Sequence, residues 1–342
     1  SSVTISDYRE ERLESTLAKL RQSSGEDLTG VMIDTTDYDS IRRGIAGSDF
    51  VIVPVSQEQP LVQLACIDQG VHCIDLSVSE RFLEKVIELN TSAEEAGVLC
   101  LVAAGLFPGL SGLVASELCG RYPDKAIDIG LLQATEGTAG GTGVADMLEI
   151  LGRPVEYMHG NTATSHNGFS ASRDFDFGAE LGVRSLRLAD FVERRFLWKR
   201  SGIRSNYWTA FDSEGRNRVI AMLRRLGLLS LFANRKLRTR VAALLNRRMA
   251  PPGNEEVGLV GCAESEGCEV LFLRSDYAGT AACTVAFTRI LHNSSEPSAG
   301  VFFPFELFGV TEVFNLIQHV IIKASSEDPE PQSADNRRGR FR

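Results

Sequence analysis

Asp7 closes a short strand-like run, Val3 to Ser6, and Arg9 follows two residues later, where a helix begins. A carboxylate at the carboxyl end of a strand can accept both hydroxyls of an adenosine ribose and repel a 2′-phosphate, whereas Arg9 can pair with that phosphate and lie over the adenine. Aspartate is also a preferred helix cap, so Asp7 has a structural role open to it. Asp34 ends the next apolar run, Val31 to Ile33, placed either to meet an adenine edge or to cap the helix near Asp37. Pro54, Val55, Ser56 and Gln57 follow the run Phe50 to Val53 and offer backbone carbonyls and a hydroxyl to a ribose–nicotinamide half. Asp75 and Ser77 follow the run His72 to Leu76; a carboxylate there orients a nicotinamide or a substrate ammonium, or forms a turn. Gly105, Pro108 and Gly109 make a sharp turn into a helix, whose N-terminus attracts an anionic substrate group.

These positions carry that chemistry only if alternating strands and helices bring them to one edge. The alternation is present. A helix with Leu13, Leu17 and Leu20 on one face follows Asp7, Ile41 and Ile45 mark a second, and Leu61 to Ile67 form a third. Phe82, Leu83, Val86, Ile87 and Ala93 form a longer stripe, and Val98 to Val102 is a fifth strand. Short connections between such units force a parallel sheet with helices on both faces. The expected fold is therefore α/β: a Rossmann-like doubly wound parallel sheet followed by an α+β second domain. In that fold the ribose-binding acid ends the second strand, after a first strand and a glycine-rich phosphate loop. Asp7 occupies that place, so the first strand and its loop are expected upstream of residue 1, leaving a gap between the strand ending at Asp7 and the strand Phe50–Val53. A later glycine run, Gly141-Thr142-Gly143, is the weaker phosphate loop, because Asp146 stands where glycine or alanine is needed and would repel a pyrophosphate.

Composition narrows the class. The 342 residues hold 36 Lys and Arg against 45 Asp and Glu, a net charge of −9, which argues against a globally basic nucleic-acid binder. No apolar run reaches the roughly 18 residues of a membrane-spanning helix. The seven cysteines show no CxxC pair and are expected as buried free thiols of a cytoplasmic protein. Charge is uneven: residues 184–248 hold 17 Lys and Arg against 4 Asp and Glu. That stretch is either a solvated basic face or a dock for an anionic partner or membrane surface.

The segment DFVIVPVSQEQPLVQLACIDQGVHCIDLS, then AGVLCLVAAGLFPGLSGLVASELC, resembles the saccharopine dehydrogenase-like NAD(P)-dependent oxidoreductases. The matching residues are Ala65, Gly70, Val71, Asp75, Gly105, Pro108 and Gly109, and near the C-terminus Gly300, Val301, Pro304 and Glu306. Cys73 departs from the family's tyrosine, and Phe107 replaces a polar residue in its Gly-Phe-Asp-Pro-Gly turn. The resemblance implies hydride transfer between NAD or NADP and a C=N or C=O carbon of a small amino-acid-like substrate, with Asp7 favouring NAD.

The expected domains are 1–112 for the dinucleotide, 113–292 for the substrate, 293–324 packing back on the first domain, and a disordered tail at 325–342. Glu136, His166, Tyr207 and Tyr277 are the candidate proton donors of the second domain. His159 and His166 lack metal-ligand spacing, so no metal is expected. The partners the sequence allows are a small-molecule substrate, a second copy of the chain, and an anionic partner or membrane surface at 184–248. Two alternatives stay open: a dinucleotide-holding sensor or scaffold without chemistry, and a peripheral membrane protein using the basic helices.

Overall fold

The computed structural model describes residues 2–25, 28–134, 150, 153–159, 162–228, 231, 237, 240–241, 256–264, 266–294, 297–327 and 340–341. Two compact units emerge, Ser1–Ala103 with Ile290–Phe303, and Ala104–Arg289 with Pro304–Arg342. The first break falls at Ala103 rather than at residue 112, and only 290–303 of the late segment joins the first unit; residues 304–324 group with the second.

The first unit is the alternating βα pattern: β1 (Thr4–Asp7), α1 (Glu10–Ser24), β2 (Thr29–Met32), α2 (Tyr38–Ile45), β3 (Phe50–Val53), α3 (Leu61–Gln69), β4 (His72–Asp75), α4 (Glu80–Ile87), α5 (Asn90–Glu95) and β5 (Leu99–Leu101). All pairings are parallel. β1 pairs with β2, and β3, β4, β5 and the late strand Gly300–Phe302 form a second sheet in that order. β1 and β2 share no ladder with the second sheet. Val3, Met32 and Ile52 are exposed, whereas the two inner strands of the second sheet, β4 and β5, are almost wholly buried. Leu13 and Leu17 of α1 are buried beside Leu28, while Leu20 stays exposed. The stripe from Phe82 to Ala93 is carried by two helices, α4 and α5, rather than one.

In the second unit the chain continues through α6 (Leu110–Arg121), β6 (Ile127–Gln133), β7 (Pro154–His159), β8 (Thr162–Asn167), β9 (Ala171–Asp176), α7 (Gly178–Leu181), β10 (Val183–Leu188), α8 (Val192–Ser201), β11 (Ser205–Phe211), α9 (Glu214–Arg225), β12 (Val257–Ala263), β13 (Cys268–Leu273) and α10 (Asp276–Asn293). After β14 (Gly300–Phe302) come α11 (Pro304–Leu307), α12 (Val310–Ile317), β15 (Ile321–Glu327) and β16 (Arg340–Phe341). Eight strands form one mixed sheet, β15-β13-β12-β6-β11-β10-β9-β16. The stretch around Tyr207-Trp208-Thr209 is the buried strand β11, parallel to β6. Its polar side chains are tolerated because they are paired: Trp208 Nε1 donates to Asp128 Oδ1 at 2.7 Å, and Asn206 Nδ2 donates to the same oxygen at 3.1 Å. Arg173 donates to Asp128 Oδ2. Around this centre Trp208, Phe175, Leu186, Leu188, Val260 and Phe272 pack into one core.

Two further expectations are corrected. Cys262 and Cys268 are disulfide-bonded, because the β12–β13 hairpin sets them directly opposite each other, a pairing that a spacing of six does not advertise. Cys66, Cys73, Cys100, Cys119 and Cys283 are free. The tail expected to be disordered contributes backbone to the sheet: 321–327 adds to the edge strand β13, and Arg340–Phe341 pairs with β9. Sheet edges offer unpaired N–H and C=O groups, which recruit polar chain regardless of its hydrophobicity. Glu136 and the Gly141–Gly143 loop lie outside the described residues, as do Leu244, Leu245 and Met249 of the basic stretch. Among the described residues no helix is long and apolar enough to cross a membrane.

Removing the acid at the centre of the second unit strands three donors in the interior. Asp128→Ala is expected to cost about 3–5 kcal/mol, the usual penalty for breaking a buried ion pair, measured as a lower urea midpoint at unchanged slope.

Candidate functional site

The strands of the first unit run parallel, so each sheet gathers its carboxyl ends on one edge. Asp7 and Met32 end adjacent strands, and so do Val53 and Asp75. Asp7 accepts a hydrogen bond from Arg9 N at 2.9 Å and lies 3.2 Å from Arg12 Nε, with Arg9 Nε at 3.8 Å. It does not cap α1: the N-cap is Arg9, which makes no side-chain cap bond. Arg9 lies 5.2 Å over the Tyr8 ring. Asp34 folds its own turn, accepting from Thr36 N and Thr36 Oγ1, which hold its carboxyl below the usual range. The cap of α2 is Asp37, which accepts from Asp39 N and Ser40 N.

Asp75 has no exposed surface. Oδ2 accepts from Gln63 Nε2 at 2.8 Å and Gln57 Nε2 at 3.2 Å, and Oδ1 accepts from Ser77 N at 2.6 Å. Burial pushes its carboxyl up to about 6, against the pull of those donors. Asp75 therefore ties the loop after β3, helix α3 and the loop after β4 together, and it is the corrected member of the set: it holds loops and does not present a free carboxylate to a substrate ammonium. Around it Gln57 Oε1, Gln63 Oε1 and Ser77 Oγ are buried with no protein hydrogen-bond partner. Buried polar atoms rarely stay unpaired, so amide and hydroxyl groups at this strand edge suit a polar ligand such as a carboxamide or ribose. Pro54, Val55 and Ser56 form the exposed rim of the same loop.

In the second unit the turn before α6 is closed on itself. Gly105 N donates to Pro108 O, Leu110 N donates to Gly105 O, and the Phe107–Pro108 peptide is cis. Gly109 has φ 128°, and a Cβ there would lie 2.0 Å from Gly105 O, so only glycine fits. The expected anion at this helix N-terminus is present, but it belongs to the protein. Glu193 of α8 accepts from Gly109 N at 2.7 Å, from Tyr207 OH at 2.6 Å and from Ser111 Oγ. The carboxylate is 1% exposed, and burial pushes it up to about 7 while its donors pull it down. The signal for Glu193 was absent from the sequence, because it lies 84 residues from Gly109.

Tyr207 is wholly buried, and burial followed by Glu193 raises its hydroxyl well above the ordinary value. Phe107 stands 4.4 Å from the Phe191 ring and 5.4 Å from Tyr207, which explains an apolar residue at that turn position. Tyr207 is thus a structural donor to Glu193, a correction to its reading as a proton donor for substrate. His166 sits on β8, its Nε2 2.9 Å from Thr164 Oγ1 and its ring 6.1 Å from Tyr157. Tyr277 is 48% exposed in the first turn of α10. These candidates occupy separate neighbourhoods. Among the described residues no group of three or more His, Cys, Asp or Glu is placed to hold a metal.

Residues 1–101 match the family model described as the saccharopine dehydrogenase NADP binding domain. Apo histidine-tagged saccharopine dehydrogenase (L-Glu forming) from Saccharomyces cerevisiae is similar with a TM-score of 0.62 at 15% identity, over 95% of this chain and 94% of that chain. At that identity the likeness is one of fold. The WlbA dehydrogenase from Bordetella pertussis in complex with NADH and UDP-GlcNAcA reaches a TM-score of 0.37 at 11% identity, over 92% and 84% of the two chains, too low to bear on the site.

The Glu193 arrangement yields two expectations. An acid whose pKa rises on folding stabilises below its unfolded value and loses that contribution as pH climbs through the folded one. The stability of wild type relative to Glu193→Gln is therefore expected to fall between pH 4.5 and about 7, by about 3 kcal/mol, in melts recorded across that range; a pH-independent difference would contradict it. Gly112→Ala would set a Cβ 2.5 Å from Glu193 Oε1 and is expected to lower stability by about 1–3 kcal/mol.

Proposed function

We propose that the chain, whose residues 1–101 match the saccharopine dehydrogenase NADP binding domain model, transfers hydride between a nicotinamide dinucleotide and a C=N or C=O carbon of a small amino-acid-like substrate. The observation that carries the reading is the convergence of polar groups at the carboxyl edge of parallel strands. Asp7 ends β1, and the Asp75 network ends β3 and β4 with three buried polar atoms unmatched by protein. When bound, the dinucleotide supplies the hydride; the protein's part is to hold it, orient it and keep water away. Asp7 with Arg9 and Arg12 would receive the adenosine ribose, and Ser56, Gln57 and Ser77 the nicotinamide half.

Our choice between the two dinucleotides rests on the groups that face Asp7. The Asp7 carboxylate faces two guanidiniums, Arg9 and Arg12, with Glu10 and Glu11 in the same turn. Repulsion of a 2′-phosphate is offset, and arginine is suited to bind it in fork geometry. Our reading is therefore that NADPH is accepted, in place of the preference for NAD that Asp7 alone implies. The rival reading, a dinucleotide holder without chemistry, draws support from the burial of Tyr207.

Nicotinamide absorbance across a panel of amino acids, imines and aldehydes tests the activity. Arg12→Ala is expected to lower kcat/KM for NADPH about ten-fold, as loss of one charge-assisted contact does, with a smaller effect on NADH. Cofactor binding without turnover of any panel member would favour the rival reading.

A further inference from the structure

Helix α9 has twelve residues and none is buried. It is attached on one side only: the Asn217 carboxamide accepts from Phe211 N at 2.9 Å and donates to Phe211 O at 2.7 Å. At 3.6 residues per turn, Val219, Met222 and Leu226 share a face lying about 140–180° round the helix from Asn217. They are 53%, 53% and 62% exposed. Leu228 and Leu231 are exposed just beyond the helix. Arg218 and Arg225 border this apolar face on one side and Arg216 on the other, each about 80–100° from its centre. Burial, with the charges of Arg224 and Arg225, holds the Arg187 guanidinium below its ordinary value. The only acid in the helix is Glu214, which pairs with Arg218 at 2.8 Å in full view of solvent.

We infer that α9 is a membrane-surface anchor that lies in the headgroup plane of an anionic bilayer, with Val219, Met222 and Leu226 in the acyl boundary and Arg216, Arg218 and Arg225 at the lipid phosphates. Apolar side chains flanked by arginines on an outward, convex face match the layered polarity of that interface. A nucleic acid or soluble polyanion would meet the arginines but leave the apolar row in water. The local charge agrees. The helix itself carries four Arg against one Glu, although the whole chain is −9. An anionic surface therefore attracts it. The inference does not rest on the proposed activity.

The test is co-sedimentation of the full chain with phosphatidylcholine vesicles, with and without about 30% phosphatidylserine, at about 0.1 M and about 0.5 M salt. The expected result is partitioning about ten-fold stronger with phosphatidylserine, weakened by salt, and reduced about ten-fold by Met222→Asp with Leu226→Asp or by Arg218→Glu with Arg225→Glu. Since Arg218, Met222, Arg225 and Leu226 are all exposed, both double variants should keep the wild-type melting temperature. Absence of phosphatidylserine-dependent sedimentation would overturn the inference. So would sedimentation that survives the Met222 and Leu226 changes. Equal binding to soluble poly-L-glutamate, insensitive to those changes, would also overturn it by marking an acidic-chain dock.

Discussion

A carboxylate removed from water costs several kcal/mol unless donors meet its oxygens, and each unit of this protein is organised round such a group. In the first, Asp75 gathers Gln57, Gln63 and Ser77 N, which joins two strand-end loops to a helix. In the second, Glu193 gathers Gly109 N, Ser111 and Tyr207, which joins α8 and β11 to the first turn of α6. Both acids sit at the usual places for binding anions or polar ligands, a parallel-strand edge and a helix N-terminus. At each the protein's own groups take the first claim.

That claim redistributes the chemistry. With Tyr207 committed to Glu193 and Asp75 committed to its loops, neither is left as a free acid or free anion. What remains at the strand edge is neutral: amide oxygens, a serine hydroxyl and backbone, joined by the Asp7–Arg9–Arg12 corner. Neutral amides and paired guanidiniums offer hydrogen bonds to a polar ligand; they do not by themselves move protons.

Charge is segregated with the same economy. Residues 184–248 hold 17 Lys and Arg against 4 Asp and Glu, while the remainder of the chain is acidic. Helix α9 holds to the body through Asn217 and Arg216 against Phe211 and leaves Val219, Met222 and Leu226 exposed.

The alternation of strand and helix over the first hundred residues is written in local periodicity, and so are the positions of Asp7, Asp34 and Asp75 at strand ends. Parallel crossovers leave one arrangement for such a pattern, so the edge on which those residues gather follows from the order of residues alone. The second unit was not: β11 reads as polar because Asn206 and Trp208 are paired with Asp128, 78 and 80 residues away. The Cys262–Cys268 bond needed the hairpin register, and Glu193 needed a helix 82 residues from Ser111 to fold onto it. Residue types and spacing determined which elements form and what chemistry they can carry. Only the tertiary structure decided which polar groups satisfy one another and which are left for a ligand, because a buried hydrogen bond depends on distance in space and leaves no period in the chain.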